Sequence, residues 1–207
     1  MLTACNLRFG YDETHVVDGI SLSLTPGEIL GLGGTSGSGK STLGRLLAGR
    51  LRPKAGSVCL DDAPLRPVAS GRPAPVQYAP QNAELAVDPR WKVKRILANG
   101  GTPDEEAVTA LGISSAWLNR HPCELSGGEL ARVSLARLFH PGLRVLICDE
   151  VTAQLDALEQ KGLLDRLSAL ARKRAIGLLL ISHSRGLRDQ YCDHAATLED
   201  GRLAAEA

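Results

Sequence analysis

The sequence is short of several residue types, and each shortage excludes a class of protein. Aromatic residues make up only 3% of the 207 residues, so the core must be built from aliphatic side chains. No apolar run approaches the roughly 18 residues that a membrane-spanning helix needs. The net charge is only +1, which provides no field that would attract nucleic acid. The five cysteines are scattered and odd in number, which favours reduced thiols over a disulfide framework or a zinc site.

The remaining composition is that of a globular domain, with 43% hydrophobic and 23% charged residues. Short apolar strands alternate with amphipathic helices, which predicts an α/β fold with a mostly parallel sheet covered by helices on both faces. Residues 61–75 read as a connecting loop, and residues 91–125 as a small helical insert. The predicted strands are Leu2–Phe9, Ile20–Leu24, Glu28–Leu32, Val58–Leu60, Val76–Tyr78, Arg144–Cys148, Gly177–Ser182 and a terminal hairpin of Ala195–Leu198 with Arg202–Ala204. The predicted helices are Lys40–Leu51, Leu130–Phe139 and Ala157–Arg174.

A glycine-rich loop, GTSGSGKS, runs from Gly34 to Ser41 and fits the pattern of Gly, four residues and Gly-Lys-Ser. Its glycines let successive N–H groups point at phosphate oxygens, and the helix that follows adds the positive end of its dipole. We expect Lys40 to neutralise the β- and γ-phosphates of a nucleotide and Ser41 to ligate Mg²⁺. A turn with an accidental Lys-Ser is the alternative, but the loop also joins an apolar strand to a helix, as the motif requires. The predicted phosphate-binding residues are Gly34, Thr35, Ser36, Gly37, Ser38, Gly39, Lys40, Ser41 and Thr42.

A second acidic site follows the apolar strand Arg144–Cys148, which ends in Asp149 and Glu150. Beside a phosphate loop, Asp149 is expected to reach Mg²⁺ through water, and Glu150 to polarise the attacking water. The alternative is an ordinary solvated strand end.

A third motif, LSGGE, spans Leu125–Glu129 and precedes a helix. Ser126 and Glu129 have the spacing of a capping box, so an ordinary helix start is one interpretation. The paired glycines Gly127 and Gly128 favour another, because they would leave backbone N–H groups open to an incoming phosphate.

Taken together, GTSGSGKS, LSGGE and RVLICDE, in this order, resemble the ABC ATPase family over essentially the whole chain. LSGGE is similar to the signature of that family, with Glu in place of the commoner Gln. The resemblance implies a P-loop NTPase with a RecA-like core, an N-terminal antiparallel β subdomain and a short α-helical subdomain. It implies a single nucleotide-binding domain over residues 1–207, with the helical subdomain at about 91–142 carrying the signature.

Further positions acquire expected roles only through this resemblance. Tyr11 lies where the family stacks an aromatic ring on adenine, although a turn or core aromatic is the alternative. Gln81 lies where the family has a glutamine that senses Mg²⁺ and couples to membrane subunits. Thr152–Asp156 resembles the dimer-contact loop, and His183 matches the switch histidine that contacts the γ-phosphate. Gln81, Glu150 and His183 are thus the expected catalytic set, and Ser41, Gln81 and Asp149 the expected Mg²⁺ ligands.

The resemblance also implies partners. Two nucleotide domains of this family face head to tail, so Ser126, Gly127, Gly128 and Glu129 would cover ATP bound by a second ABC ATPase subunit. The segment NAELAVDPR after Gln81, which ends in Asp88-Pro89-Arg90, resembles the extension found in the peptide/nickel importer group; a simple Pro turn is the alternative. This group implies ATP and Mg²⁺ as cofactors, two transmembrane permease subunits, and indirectly an extracytoplasmic substrate-binding protein. It also implies a cytoplasmic location on the inner face of the bacterial plasma membrane, and the N-terminus shows no signal-peptide pattern.

Three rival functions remain at this point. An accessory ATPase of phosphonate breakdown would bind soluble enzymes instead of membrane subunits. An exporter ATPase would lack the extension that ends in Asp88-Pro89-Arg90. A DNA-repair or chromosome-organising ATPase would carry long coiled-coil or zinc insertions, which this sequence does not have, and we expect no nucleic acid partner.

Overall fold

The computed structural model of the protein describes residues 1–11, 14–66 and 73–205, without the side chain of Thr14. These residues form ten strands and six α-helices. The strands are β1 (Leu2–Tyr11), β2 (Thr14–Leu24), β3 (Ile29–Gly33), β4 (Ala55–Leu60), β5 (Ala63–Pro64), β6 (Val76–Ala79), β7 (Val145–Asp149), β8 (Gly177–Ile181), β9 (His194–Glu199) and β10 (Arg202–Ala205). The helices are α1 (Lys40–Leu47), α2 (Val93–Leu97), α3 (Glu105–Ala110), α4 (Gly127–Ala136), α5 (Ala157–Lys173) and α6 (Arg185–Tyr191).

An antiparallel sheet with the order β2-β1-β4-β5 forms the N-terminal part of the fold. β2 begins at Thr14 rather than at the predicted Ile20. The reason is a bulge against β1, in which Gly19 is the extra residue between the paired Asp18 and Ile20 and has a φ of +71°. The bulge places two buried residues, Val17 and Ile20, three positions apart, so the two-residue alternation of a strand is broken in the sequence.

A six-stranded sheet with the order β10-β9-β3-β8-β7-β6 forms the centre of the molecule. The five strands from β9 to β6 are parallel, and β10 adds an antiparallel edge. Every residue of β7 and β8 is buried, which explains why both read as continuous apolar runs. The predicted, mostly parallel sheet is therefore confirmed, as is the terminal hairpin, which β9 and β10 form.

Both faces of this sheet are buried in separate hydrophobic clusters. On one face Leu146 and Leu178 pack with residues of α2, α3, α4 and α5. On the other face Ile147 and Leu179 pack with α1 and with the antiparallel sheet. Helices therefore cover both faces, and the antiparallel sheet shares its core with the helix that follows the glycine-rich loop.

Helix α1 ends at Leu47 and not at the predicted Leu51. The Gly49 N–H donates to the Leu46 carbonyl at 3.0 Å, and the Arg50 N–H donates to the Arg45 carbonyl at 2.9 Å. With Gly49 at a φ of +67°, this is a Schellman motif, which satisfies the last carbonyls of the helix. Gly49 is therefore the stop signal, and the predicted end at Leu51 was wrong.

Three helices, α2, α3 and α4, lie in the segment expected to be helical, and short 3₁₀ turns connect them. α4 starts at Gly127, three residues before the predicted Leu130, and the capping box is confirmed. The Ser126 Oγ accepts from the Glu129 N–H at 3.2 Å, and the Glu129 carboxylate accepts from the Ser126 N–H at 2.8 Å. The division at about 91–142 stays a prediction, because these helices share one hydrophobic cluster with the central sheet.

Two segments differ from the sequence-based expectation. The connecting loop predicted at 61–75 contains the short strand β5, which pairs with β4, and residues 67–72 lie outside the described residues. Helix α6 was not predicted, because its sequence offers only Leu187 and Tyr191 at helical spacing. In the described part of the chain no helix has the length and apolar character to cross a membrane.

Candidate active site

The glycine-rich loop joins the end of β3 to the start of α1, and two of its glycines are sterically required. Gly34 has a φ of +135°, and a Cβ atom there would lie 2.5 Å from the Leu198 carbonyl oxygen. Gly39 has a φ of +101°, and a Cβ atom there would lie 2.6 Å from the Val16 side chain. Only glycine fits at these two positions, and its freedom at positive φ lets the loop curl tightly at the N-terminus of the helix.

Lys40 lies inside this loop and is only 5% exposed. Its ammonium group donates to the Gly34 carbonyl at 2.9 Å and to the Thr35 carbonyl at 2.8 Å. Burial lowers the pKa of Lys40, and the nearby carboxylates of Glu150 and Asp149 oppose that effect. The side chain therefore holds the loop curved around a positive charge.

Asp149 occupies the last position of β7 and is 4% exposed. The Tyr78 hydroxyl, on the adjacent strand β6, donates a hydrogen bond to its Oδ2 atom. Burial raises the pKa of Tyr78, and the hydrogen bond to Asp149 raises it further, so the phenol stays protonated as a donor. A hydrogen bond with this phenol raises the pKa of Arg45 on α1. Sequence reasoning missed Tyr78, because a tyrosine in an apolar strand carries no signal of the strand that will lie beside it.

Glu150 follows directly and meets two side chains from neighbouring strand ends. Gln81 Nε2 donates to Glu150 Oε2 at 3.0 Å, and His183 Nε2 lies 2.5 Å from Glu150 Oε1. Glu150 itself has a φ of +50°, and its N–H donates to the Ile181 carbonyl at 3.0 Å. The sheet order explains the meeting, since β6, β7 and β8 are neighbours and Gln81, Glu150 and His183 follow their carboxyl ends.

These groups surround one cavity of about 370 Å³ at the carboxyl end of the sheet. The structure thus brings together predicted residues from the loop and from the three strand ends. The residues that line the cavity are Ser36, Gly37, Gly39, Lys40, Ser41, Thr42, Gln81, Glu150 and His183. Gly34 and Thr35 contribute the carbonyls that bind the Lys40 ammonium group.

The donors of this cavity fit a polyphosphate. The Lys40 ammonium and the N-terminus of α1 are both positive, and anions bind favourably at such helix ends. The Ser38 Oγ is buried without a hydrogen-bond partner among the described residues, but Ser38 is not among the residues that line the cavity.

The oxygen atoms of the same region fit Mg²⁺. The Ser41 hydroxyl, the Gln81 side-chain amide and the Asp149 carboxylate all offer hard oxygen ligands, which this ion prefers. Three such oxygens would leave the rest of an octahedral shell to phosphate oxygens and water, which is how Mg²⁺ is usually bound.

Tyr11 and the LSGGE segment are not among the residues that line this cavity within the described chain. Tyr11 lies at the end of β1, is 48% exposed, and packs edge-to-face on Phe9 with ring centroids 5.1 Å apart. A Cβ atom on Gly127 would meet no heavy atom within 4 Å, whereas one on Gly128 would lie 2.7 Å from the Glu159 carboxylate. One glycine of the signature thus faces open space, and the other packs against α5.

Comparison with known proteins decides the family. The sequence profile of the ABC transporter family matches residues 17–153, which include the glycine-rich loop, LSGGE and the Asp149-Glu150 pair. The chain belongs to the ABC transporter family. It is an ATPase of this family, and the resemblance inferred from its motifs is confirmed.

Curated members of the ABC transporter family align with nearly the whole chain. The nickel import ATP-binding protein NikE of Rhodospirillum rubrum is 31% identical over 208 residues, covering 93% of this chain and 75% of that protein. The hemin import ATP-binding protein HmuV of Bordetella pertussis is 36% identical over 225 residues, covering 99% of this chain and 85% of that protein.

Solved structures of ABC proteins agree with the fold. CbiO1 of Clostridium perfringens, part of the ABC transporter complex cbiONQ, has a TM-score of 0.84 at 25% identity, covering 98% of this chain and 86% of that one. A dimeric ATP-binding cassette in a post-hydrolysis state with ADP and Pi has a TM-score of 0.83 at 19% identity, covering 100% of this chain and 98% of that one. The predicted P-loop NTPase fold, with its antiparallel β sheet beside a mostly parallel one, is confirmed.

Proposed function

We propose that this ABC ATPase is the ATP-hydrolysing subunit of a bacterial importer and drives uptake through separate membrane subunits. The observation that carries the proposal is the meeting of Gln81, Glu150 and His183 at the mouth of the Lys40 loop. A binding module would have no use for a base, a histidine and an amide gathered beside a phosphate site. The relatives support import, because they are named as import ATP-binding proteins for nickel, hemin and methionine.

Each residue of the cavity has a proposed role in positioning or in charge stabilisation. Lys40 and the N–H groups of residues 34–42 bind the β- and γ-phosphates of ATP. Ser41, Gln81 and, through water, Asp149 would hold Mg²⁺, which would neutralise charge on the phosphate oxygens. His183 contacts the γ-phosphate, and Tyr11 stacks on adenine from the end of β1.

Glu150 is the proposed general base. A water held against its carboxylate attacks the γ-phosphorus in line, and the proton released by the water passes to Glu150. The bond between the γ-phosphorus and the bridging oxygen breaks, and ADP leaves with its electron pair. The hydrogen bond from Gln81 and the contact with His183 orient the carboxylate for this step.

The LSGGE segment acts in a second subunit rather than in its own. Ser126, Gly127, Gly128 and Glu129 lie at a capped helix N-terminus whose first glycine faces open space. A γ-phosphate bound by a partner ATPase would meet these N–H groups in a head-to-tail dimer. Thr152–Asp156 would line the same interface, with Gln160 holding the Thr152 side chain at 2.9 Å.

The finer proposal is a transporter of the peptide/nickel type on the inner face of the plasma membrane, with two permease subunits and an extracytoplasmic binding protein. NikE proteins of two organisms support nickel, and the segment Asn82–Arg90 supports the group as a whole. In that segment Arg90 binds the Asp88 carboxylate through two side-chain hydrogen bonds of 3.0 and 2.9 Å, which gives the turn a fixed shape. CbiO1 is part of an ABC transporter complex, and an analogous assembly is proposed for this chain.

Affinity capture from detergent-solubilised membranes of the native host tests the proposal. The bait is the Glu150→Gln variant with MgATP, and the matched control is the Lys40→Ala variant, which should not reach the ATP-bound state. We expect two polytopic membrane proteins and a second ATPase with the first bait. Recovery of soluble enzymes alone would reject the importer function and favour that of an accessory ATPase.

Uptake assays then test the substrate class. The captured permease is reconstituted in vesicles with its binding protein, and ATP-dependent uptake of Ni²⁺, an oligopeptide, hemin and methionine is compared. The peptide/nickel proposal expects uptake of Ni²⁺ or the peptide. Uptake of hemin or methionine would reject that subgroup but keep import, whereas ATP-dependent outward transport would make the protein an exporter.

A further inference from the structure

A buried tyrosine connects the two halves of the nucleotide site. Tyr78 is 2% exposed, and its hydroxyl donates to Asp149 Oδ2 from the neighbouring strand. In the parallel register Tyr78 pairs with Ile147, two residues before Asp149, and the hydrogen bond to Asp149 shows that its ring extends toward the end of β7. No pattern in the sequence marks this residue.

The ring of Tyr78 is fixed from the side of α1 as well. A Cβ atom on Gly44 would lie 3.1 Å from Tyr78 Cε2, so the ring packs directly on the helix backbone. The Arg50 guanidinium lies 5.2 Å from the ring centroid, and its Nη2 donates to the Tyr78 carbonyl at 3.4 Å. The helix that begins at the phosphate loop therefore holds the ring in one place.

The direction of this hydrogen bond follows from the groups involved. A carboxylate can only accept, so the Tyr78 hydroxyl donates its single proton to Asp149 Oδ2. This arrangement fixes one carboxylate oxygen and leaves Oδ1 as the oxygen that would bind a metal-coordinated water.

We propose that Tyr78 is a positioning residue that holds Asp149 in the orientation required for Mg²⁺. The inference rests on the proposed Mg²⁺ role of Asp149. Groups that hydrogen-bond a metal-associated carboxylate from behind set its orientation, and losing one typically costs about 10–100-fold in metal affinity or activity. Because Tyr78 contacts both α1 and β7, it fixes the position of the phosphate loop relative to Asp149.

The Tyr78→Phe variant tests the inference, since it removes the hydroxyl and keeps the ring. The chain offers a matched control in Tyr191→Phe, because Tyr191 also donates to an aspartate, Asp165 Oδ1 at 2.7 Å, on the distant pair of helices α6 and α5. Binding of a fluorescent ATP analogue is measured in EDTA and across a Mg²⁺ titration. Direct Mn²⁺ binding in the presence of a non-hydrolysable ATP analogue is followed by electron paramagnetic resonance.

We expect Tyr78→Phe to raise the Mg²⁺ concentration at half-saturation about tenfold and to weaken Mn²⁺ binding similarly, with unchanged affinity in EDTA. Tyr191→Phe should match the wild type in every reading. An unchanged Mg²⁺ midpoint in Tyr78→Phe, or an equal loss of affinity with and without the ion, would overturn the positioning role. If the wild type itself gained no affinity from Mg²⁺, the proposed metal site would fail instead.

Discussion

The cavity beside Lys40 and the LSGGE segment are both proposed to bind phosphate, but their side chains are arranged in different ways. In the cavity, the key side chains already bind one another: Lys40 binds loop carbonyls, and Gln81 and His183 meet Glu150. At LSGGE, Ser126 and Glu129 satisfy only their own helix start. The open space beside Gly127 is filled by nothing within the described chain.

The difference indicates that the cavity and the LSGGE segment have separate roles in one chain. The cavity gathers its groups from adjacent strand ends, so one subunit suffices to assemble it. The LSGGE segment is a capped helix end with open space beside Gly127, which fits the proposal that it completes a site in another molecule. Four variants test this difference.

The largest expected effect follows Glu150→Gln, which removes the base and keeps the shape. Turnover should fall by about 1,000-fold, within the range for loss of a general base, and ATP should still bind. The measurement is phosphate release together with ATP binding by calorimetry. Glu84→Gln, on an exposed 3₁₀ turn, is the control and should hydrolyse ATP normally. Normal turnover in Glu150→Gln would contradict the assignment of Glu150 as the general base.

Lys40→Ala comes next, because it empties the centre of the phosphate loop. The variant lacks two charge-assisted hydrogen bonds from the Lys40 ammonium to phosphate oxygens, so ATP affinity should fall by about 100-fold, or ~3 kcal/mol. Calorimetric titration with MgATP measures the change. Lys94→Ala, an exposed lysine on α2, should bind ATP as the wild type does. Equal affinity in the two variants would contradict the assigned phosphate site.

Asp104→Ala tests how firmly the helices near LSGGE are joined to the core. Asp104 caps α3 by accepting from the Ala107 N–H, and it pairs with Arg174 at 2.6 Å, with side chains only 10% and 16% exposed. Losing it should reduce the free energy of unfolding by about 3 kcal/mol, since it removes the cap of α3 and the nearest anion of a largely buried guanidinium, which keeps only the His140 carbonyl and the more distant Glu106 carboxylate. Urea unfolding measures this. The control Asp189→Ala breaks an exposed ion pair and should cost less than about 1 kcal/mol; an equal cost would reject the anchoring role.

The smallest effect on the isolated chain is expected from Ser126→Ala. Loss of the N-cap should cost about 1 kcal/mol of stability, and ATP affinity of the single chain should not change. Ser114→Ala removes a comparable cap from a 3₁₀ turn and controls for stability. In the captured assembly, only Ser126→Ala should slow hydrolysis. A loss of ATP affinity in the isolated chain would mean that Ser126 serves its own cavity.

The sequence indicated which residues would meet at the cavity better than it indicated the element boundaries. The loop residues and Asp149-Glu150 could be found because their chemistry is local and their order is diagnostic. The early start of β2 could not be found, since the bulge at Gly19 disrupts the alternation on which strand prediction depends. The end of α1 was readable in principle from Gly49.

Contacts between distant strands were the hardest to foresee. The Tyr78–Asp149 hydrogen bond depends on β6 lying beside β7, which hydrophobic pattern alone does not specify. The gathering of Gln81, Glu150 and His183 was expected only through the family resemblance, because the three residues are far apart along the chain. Spatial neighbours of this kind need the sheet order, which only the structure supplies.

The central claim is that the cavity binds ATP within one chain and that LSGGE meets ATP only across an interface. Hydrogen–deuterium exchange of Glu150→Gln, alone and in its captured assembly, tests it most directly. With MgATP, the account predicts protection of residues 34–41 in both samples and protection of residues 126–129 in the assembly only. Protection of residues 126–129 in the isolated monomer, or none in the ATP-bound assembly, would contradict it.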